Sequence, residues 1–137
     1  MSVRIQGRLL GGKKVELLHE PSGVRIVTDA PLDNHGEASS FSPTDLVAGA
    51  LGACMMTVLA IVAERHHLDL SGMRMEAEKI MSAEPRRIGQ VPITLHLPAG
   101  LGAADRARLE AAARVCPVHK SLHPDVQASV SFVYDVA

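Results

Sequence analysis

The spacing of apolar and polar residues predicts strands at both ends of the chain, with two helices placed among them. Alternating patterns indicate strands near 3–9, 14–19, 24–29, 72–78, 91–97 and 126–134, and longer apolar or alanine-rich runs indicate helices at 43–67 and 103–116. The resulting order, βββ-α-ββ-α-β, predicts an α+β fold. A chain of 137 residues is expected to form one domain, spanning residues 1–137.

The first helix has a clear start signal. Ser42 is predicted to be the N-cap, Pro43 the first helical residue, and Asp45 the acid that completes a capping box. Before it, residues 30–42 form a polar and irregular segment, predicted to be a long loop. Loops of this length in a small domain often carry function.

The apolar run from Leu46 to Ala63 has almost the length of a membrane span. Charged and histidine residues lie close to both of its ends: Asp45 on one side and residues 64–67 on the other. We therefore interpret it as a buried core helix and expect no membrane association.

Composition narrows the class of protein. Hydrophobic residues make up 47% of the chain, charged residues 21%, and the formal net charge is −1. This balance predicts a globular protein and argues against a nucleic-acid-binding protein, which would usually carry a basic excess. The first residues lack the apolar segment of a secretory signal, so a cytoplasmic protein is expected.

The chain has only two cysteines, Cys54 and Cys116. Cys54 lies about 16 Å from the helix start, too far for the helix dipole to act on its thiol, and alone it would be interpreted as an inert core residue. Cys116 precedes the helix-breaking Pro117 and lies near His119 and Lys120, which favour a thiolate. Together they suit a peroxidatic and resolving pair, in which a thiol oxidised to sulfenic acid condenses with a second thiol.

Two segments carry a resemblance to a known family. SPTDLVAGALGAC, at residues 42–54, and CPVHKSL, at residues 116–122, resemble the OsmC/Ohr family of osmotically inducible and organic hydroperoxide resistance proteins. The resemblance extends over nearly the whole chain. The two motifs together are fairly specific for this family, whereas either motif alone would be weak evidence.

The resemblance implies an intertwined homodimer, with sheets wrapped around two central helices. It implies thiol peroxidase activity without a cofactor, with Cys54 as the attacking thiol and Cys116 as the resolving thiol. The implied substrates are organic or fatty-acid hydroperoxides, and the implied reductant is a dithiol such as a protein-bound lipoyl group.

The family pattern also implies a glutamate directly after the motif proline, but Thr44 stands there. Asp45 is a weak substitute because the nine-residue step to Cys54 puts the two on opposite helix faces, and it already has a capping role. Glu37, in the preceding loop, is another possible carboxylate, although a solvated loop acid is the simpler interpretation.

The resemblance further implies an arginine that stabilises the thiolate and polarises the peroxide. The candidates are Arg4, Arg8 and Arg25 in the N-terminal strands, and Arg8, before the Gly11-Gly12 turn, is our choice. Most strand arginines are simply solvated.

Two other functions stay open. Cys116, His119 and His123 have a C-x2-H-x3-H spacing, and Cys54 or His67 could complete a tetrahedral zinc site. Alternatively, the missing glutamate favours a protein that binds a small molecule in an apolar pocket without turnover.

Overall fold

The computed structural model describes every residue from Met1 to Ala137. The strands are β1 (Ile5–Gly11), β2 (Lys14–His19), β3 (Arg25–Thr28), β4 (Arg74–Ala77), β5 (Ile80–Ser82), β6 (Arg87–Gln90), β7 (Ile93–Pro98) and β8 (Val130–Val136). The helices are α1 (Pro43–Arg65), α2 (Ala103–Ala113) and α3 (Pro117–Ser121), with a single 3-10 turn at Leu32–Asn34. The predicted α+β class is confirmed.

The chain divides into two compact units, Met1–Val47 and Ala48–Ala137. The single domain predicted from the sequence stays a prediction. The first unit contains an antiparallel sheet with the order β1-β2-β3. Its tight turns contain Gly12 and Gly23 with φ of 56° and 75°, a conformation that glycine adopts without steric cost.

The first unit has no apolar core of its own. None of its large hydrophobic side chains is buried. The strand register puts Ile5, Leu9 and Ile26 on one face of the sheet, and their exposed fractions are 63%, 69% and 46%. A sheet needs a covered apolar face to be stable, so this face lacks the partner that would complete it.

The predicted capping box at the start of α1 is confirmed. The Ser42 hydroxyl accepts the Asp45 backbone N–H at 3.0 Å, and the Asp45 carboxylate accepts the Ser42 N–H at 2.8 Å. These two reciprocal bonds satisfy backbone donors that helix ends otherwise leave unpaired.

In the second unit, α1 packs against a sheet with the order β4-β7-β8. The central strand β7 is antiparallel to β4 and parallel to β8. The core is aliphatic and consists mainly of Leu51, Met55, Leu59, Val91, Ile93, Leu95, Leu97 and Leu109. By length and composition α1 could cross a membrane, and 33% of its most apolar 18-residue window is buried within the chain. The interpretation of α1 as a buried core helix without membrane association stays a prediction.

Gly52 lies at a close approach between α1 and β4. A Cβ placed on it would lie 2.6 Å from Cε and 2.7 Å from Sδ of Met75, on β4. The absence of a side chain at residue 52 therefore lets the Met75 thioether lie directly against the helix backbone.

The predicted order βββ-α-ββ-α-β was incomplete. The β5–β6 hairpin and the five-residue helix α3 were not predicted, because segments of three to five residues are too short to show a periodic pattern. Three predicted ends were also wrong. Helix α1 stops at Arg65 rather than at residue 67, and α2 stops at Ala113 rather than at residue 116. The last strand starts at Val130 rather than at residue 126.

Candidate active site

Cys54 lies in the interior of the continuous helix α1 and is half-buried, packing against the edge of the core. Of its neighbours one turn away, Ala50 and Thr57 are small and exposed, whereas Leu51 is buried and Val58 is half-buried. Cys54 therefore lies at the boundary between the exposed and the buried side of α1.

Cys116 has a different environment. It is fully buried, and it is the N-cap of α3, where its sulfur accepts the His119 backbone N–H at 3.4 Å. The proline at residue 117 occupies the first helical position, where its missing N–H costs nothing. The turn after α2 and the start of α3 thus fix the sulfur inside the core.

The structure brings the two cysteines together. Both are free thiols, and Cys54 lies close enough to Cys116 to affect its pKa. Burial raises the pKa of Cys116, and the hydrogen bond and charge repulsion from Cys54 raise it further, against the opposing N–H groups of His119 and Val118. Cys116 is therefore held as a protonated thiol beside Cys54. The prediction that His119 and Lys120 favour a Cys116 thiolate was wrong, because burial of the sulfur outweighs any effect of their charges.

The candidate arginines lie in the first unit, where two of them share one carboxylate. Glu16 Oε1 lies 3.2 Å from Arg8 Nε and 2.7 Å from Arg25 Nη1. The sequence analysis did not single out Glu16, although Arg8 and Glu16 are directly opposite in the β1–β2 register. With Gln6, Gly7 and Leu18, these three residues line a polar cavity of about 320 Å³.

The other candidate charges have local partners. Arg4 Nε pairs with Glu20 at 3.5 Å. The Glu37 carboxylate lies 3.4 Å from Lys14 Nζ and is largely exposed, in agreement with its interpretation as a loop acid. Asp45 takes part in the capping box described above.

The proposed Cys116–His119–His123 metal site is not assembled. No group of three or more His, Cys, Asp or Glu side chains is arranged to hold a metal ion. The His123 ring nitrogen Nδ1 instead accepts the Asp125 backbone N–H at 3.0 Å.

Comparison with known proteins agrees with the fold and the motifs. A family model for OsmC-like proteins matches residues 36–131. A solved structure from Psychrobacter arcticus, provisionally described as an osmotic stress induced and detoxification response protein, is 36% identical, covers 93% of both chains and superposes with a TM-score of 0.90. This chain belongs to the OsmC-like family.

Two more distant structures share the OsmC-like fold. An organic hydroperoxide resistance protein OsmC from Legionella pneumophila is 21% identical over 97% of both chains, with a TM-score of 0.74. An organic hydroperoxide resistance protein from Elizabethkingia anophelis is 14% identical over 98% of this chain and 97% of its own, with a TM-score of 0.77. No curated protein matches the sequence.

Proposed function

We propose that this OsmC-like protein is a thiol-dependent peroxidase that reduces organic hydroperoxides. The proximity of Cys54 and Cys116 carries the proposal. Two free thiols near each other in one folded unit can form a disulfide when one of them is oxidised. Cys54 is half-buried, whereas Cys116 is fully buried and protonated.

The reaction divides into three balanced steps. The Cys54 thiolate attacks the O–O bond of a hydroperoxide, takes one oxygen as sulfenic acid, and releases the alcohol after protonation. The Cys116 sulfur then attacks the Cys54 sulfur; a disulfide forms, and the lost hydroxyl leaves as water with the Cys116 proton. An external dithiol, such as a protein-bound lipoyl group, restores both thiols and is itself oxidised to a disulfide.

The comparisons support this class of substrate. Two structures with the same fold are described as organic hydroperoxide resistance proteins, and the more similar one as an osmotic stress and detoxification protein. The apolar residues around Cys54 suit hydroperoxides with hydrocarbon chains, including those of fatty acids. A cytoplasmic location, where thiols are kept reduced, would supply the reductant.

We further propose that the functional protein is a homodimer and that Arg8 provides positive charge to the reacting sulfur. The uncovered apolar face of the β1-β2-β3 sheet supports the dimer, because a second copy could bury it. The exposed side of α1 also supports a dimer. It consists mainly of the small or apolar residues Ala50, Ala53, Ala60 and Ile61. For Arg8, support comes from Glu16, which can orient the guanidinium as the missing glutamate would have done.

The test is peroxide consumption with cumene hydroperoxide and dihydrolipoamide. Cys54→Ser should abolish activity, and Cys116→Ser should consume one equivalent and then stop. Arg8→Gln should lower kcat/KM by about 100-fold, the usual loss when one electrostatic stabiliser is removed, whereas the exposed Arg87→Gln should change it little. Full turnover by the Cys54→Ser protein would refute the proposal.

One observation favours a second function. Because Thr44 replaces the glutamate of the family pattern, the protein could bind hydrophobic molecules in the same place without turning them over. That function predicts saturable binding of the hydroperoxide with no change in either thiol.

A further inference from the structure

The polar cavity of the first unit lies on the face of the β1-β2-β3 sheet opposite its uncovered apolar face. Successive residues of a strand point to opposite faces, so Arg8 and Glu16 are directed away from Leu9 and Ile26. The cavity volume of about 320 Å³ is at the lower end of the range, roughly 300–1,000 Å³, in which proteins bind small molecules. The proposed peroxidase chemistry uses Arg8, one residue of its wall, but leaves the cavity itself without a role.

Three charged side chains from three neighbouring strands meet at one atom in this cavity. Arg8 on β1 and Arg25 on β3 both donate to Oε1 of Glu16 on β2, at 3.2 and 2.7 Å. The Glu16 side chain is only 15% exposed, whereas the two arginine side chains are 71% and 56% exposed. The carboxylate therefore lies deeper than the two cations and orients both of them.

The charges in the cavity do not balance. Two guanidinium groups and one carboxylate sum to +1, and no second carboxylate lines the cavity. Glu20, just after β2, has other partners: its carboxylate lies 3.5 Å from Arg4 Nε and accepts the Gln6 amide at 2.9 Å. One positive charge of the cavity is therefore without a counterion from the protein.

The two guanidinium groups also have hydrogen-bond donors to spare. Each carries five N–H donors, but Arg8 bonds Glu16 only through Nε and Arg25 only through Nη1. The planar fork of a guanidinium matches the two oxygens of a carboxylate. A single carboxylate from a ligand would therefore balance the surplus charge and use the remaining donors at the same time.

An apolar side chain completes the wall. Leu18 is half-buried, lines the same cavity and is directly opposite Arg25 in the β2–β3 register. An apolar wall beside two cations suits an organic acid better than a small inorganic anion. We propose that this cavity binds a small organic carboxylate with a short hydrocarbon chain. Arg8 and Arg25 hold the carboxylate, and Leu18 contacts the chain.

Binding at this site is separate from the proposed thiol chemistry. An organic acid has no O–O bond, so its binding leaves Cys54 and Cys116 reduced, and the site is tested without any peroxide. Because both arginines are partly exposed, we expect weak binding, with a Kd on the order of 1 mM. Added sodium chloride should raise the Kd, since salt screens exposed charges.

The experiment is a nuclear magnetic resonance titration of reduced 15N-labelled protein with sodium octanoate, which gives both the affinity and the position of the ligand. We expect saturable shifts of the Nε–H signals of Arg8 and Arg25. Arg25→Gln should weaken octanoate binding at least about tenfold, because it removes a charged bidentate donor. Arg25→Lys keeps the charge but not the planar fork, so its loss should be smaller. Circular dichroism checks that each protein is folded.

The matched control is Arg4→Gln, which removes the same charge from the same unit but from a residue paired with Glu20. It should change the Kd less than about twofold. Neutral 1-octanol and inorganic phosphate are the control ligands, and both should bind more weakly than octanoate.

Three results would overturn the proposal. Equal octanoate binding by the wild-type and Arg25→Gln proteins would show that the arginines do not hold the ligand. Phosphate binding as tight as that of octanoate would show a site for any small anion. Shifts confined to Ile5, Leu9 and Ile26, with 1-octanol as effective as octanoate, would put the ligand on the apolar face of the sheet instead.

Discussion

At the scale of single residues, the two cysteines differ in the groups around them. Cys54 lies mid-helix, where backbone N–H groups are already used within α1, whereas Cys116 accepts an N–H from His119 and is fully buried. Burial raises the pKa of Cys116 and keeps its thiol protonated at neutral pH. The Cys116 thiol must lose its proton to attack the Cys54 sulfenic acid, and that proton leaves with the water that forms.

Asp29 gives a prediction about acid stability. A hydrogen bond from the Ser39 hydroxyl, a second from its backbone N–H, and the charge of Lys14 lower the Asp29 pKa from its usual 3.8. A carboxylate with a lowered pKa in the folded state stabilises the protein above its unfolded pKa and loses that contribution as the pH falls through the folded value. Urea unfolding should show that the stability difference between wild type and Asp29→Asn is constant from pH 7 to about pH 5 and shrinks below about pH 4.

The Ser39→Ala protein provides the control for this prediction. It keeps the backbone N–H but removes the hydroxyl, the largest cause of the shift, so its pH-dependent loss should be smaller than that of wild type. A difference that grows as the pH falls would contradict the assignment.

From the sequence, we could identify functional and capping residues that lie in short local motifs. The two cysteines, Ser42 and Asp45 were all found from short motifs. Glu16 was missed because it acquires its partners across strands, and a partner on another strand depends on register. Register is set by the whole sheet and leaves little signal in a single sequence.

At the scale of elements, α1 comes close to Met75 of β4 at Gly52. Gly52→Ala places a methyl group 2.6 Å from Met75 Cε, at the flexible end of that side chain, so Met75 must shift and part of the roughly 1 kcal/mol gain in helix propensity is lost. The matched control is Gly49→Ala, three residues earlier on the same helix, where an added Cβ meets nothing within 4 Å. There we expect a gain of up to about 1 kcal/mol from helix propensity.

Urea unfolding of the two alanine proteins measures this difference. Gly52→Ala should be less stable than Gly49→Ala, because only the Gly52 substitution forces a neighbouring side chain to move. Equal stabilities would mean that Met75 moves aside freely and that the close approach is not required.

Elements with strong periodicity or clear boundary signals were predictable. The three N-terminal strands and the start of α1 are found close to their predicted positions. The β5–β6 hairpin was not predicted, because its strands have only three and four residues and its stability comes from pairing rather than from an apolar pattern.

At the scale of the whole molecule, the first unit exposes the apolar side chains that a sheet normally covers. We expect a homodimer of about twice 14.6 kDa in sedimentation equilibrium. Leu9→Asp, on the exposed apolar face, should shift the equilibrium to monomer because it would bury a charge in the interface. Val133→Asp, 38% exposed in the other unit, is the matched control and should leave the dimer intact. A monomeric wild-type protein would contradict this arrangement.

The pairing of Cys54 and Cys116 as a peroxide-driven redox pair can be tested by counting thiols and measuring mass. Fully reduced protein is mixed with one equivalent of cumene hydroperoxide, its free thiols are counted, and its intact mass is taken. We expect the loss of both thiols and a mass decrease of two hydrogen atoms within a single chain. Two unreacted thiols at an unchanged mass would contradict it and favour a binding protein without turnover.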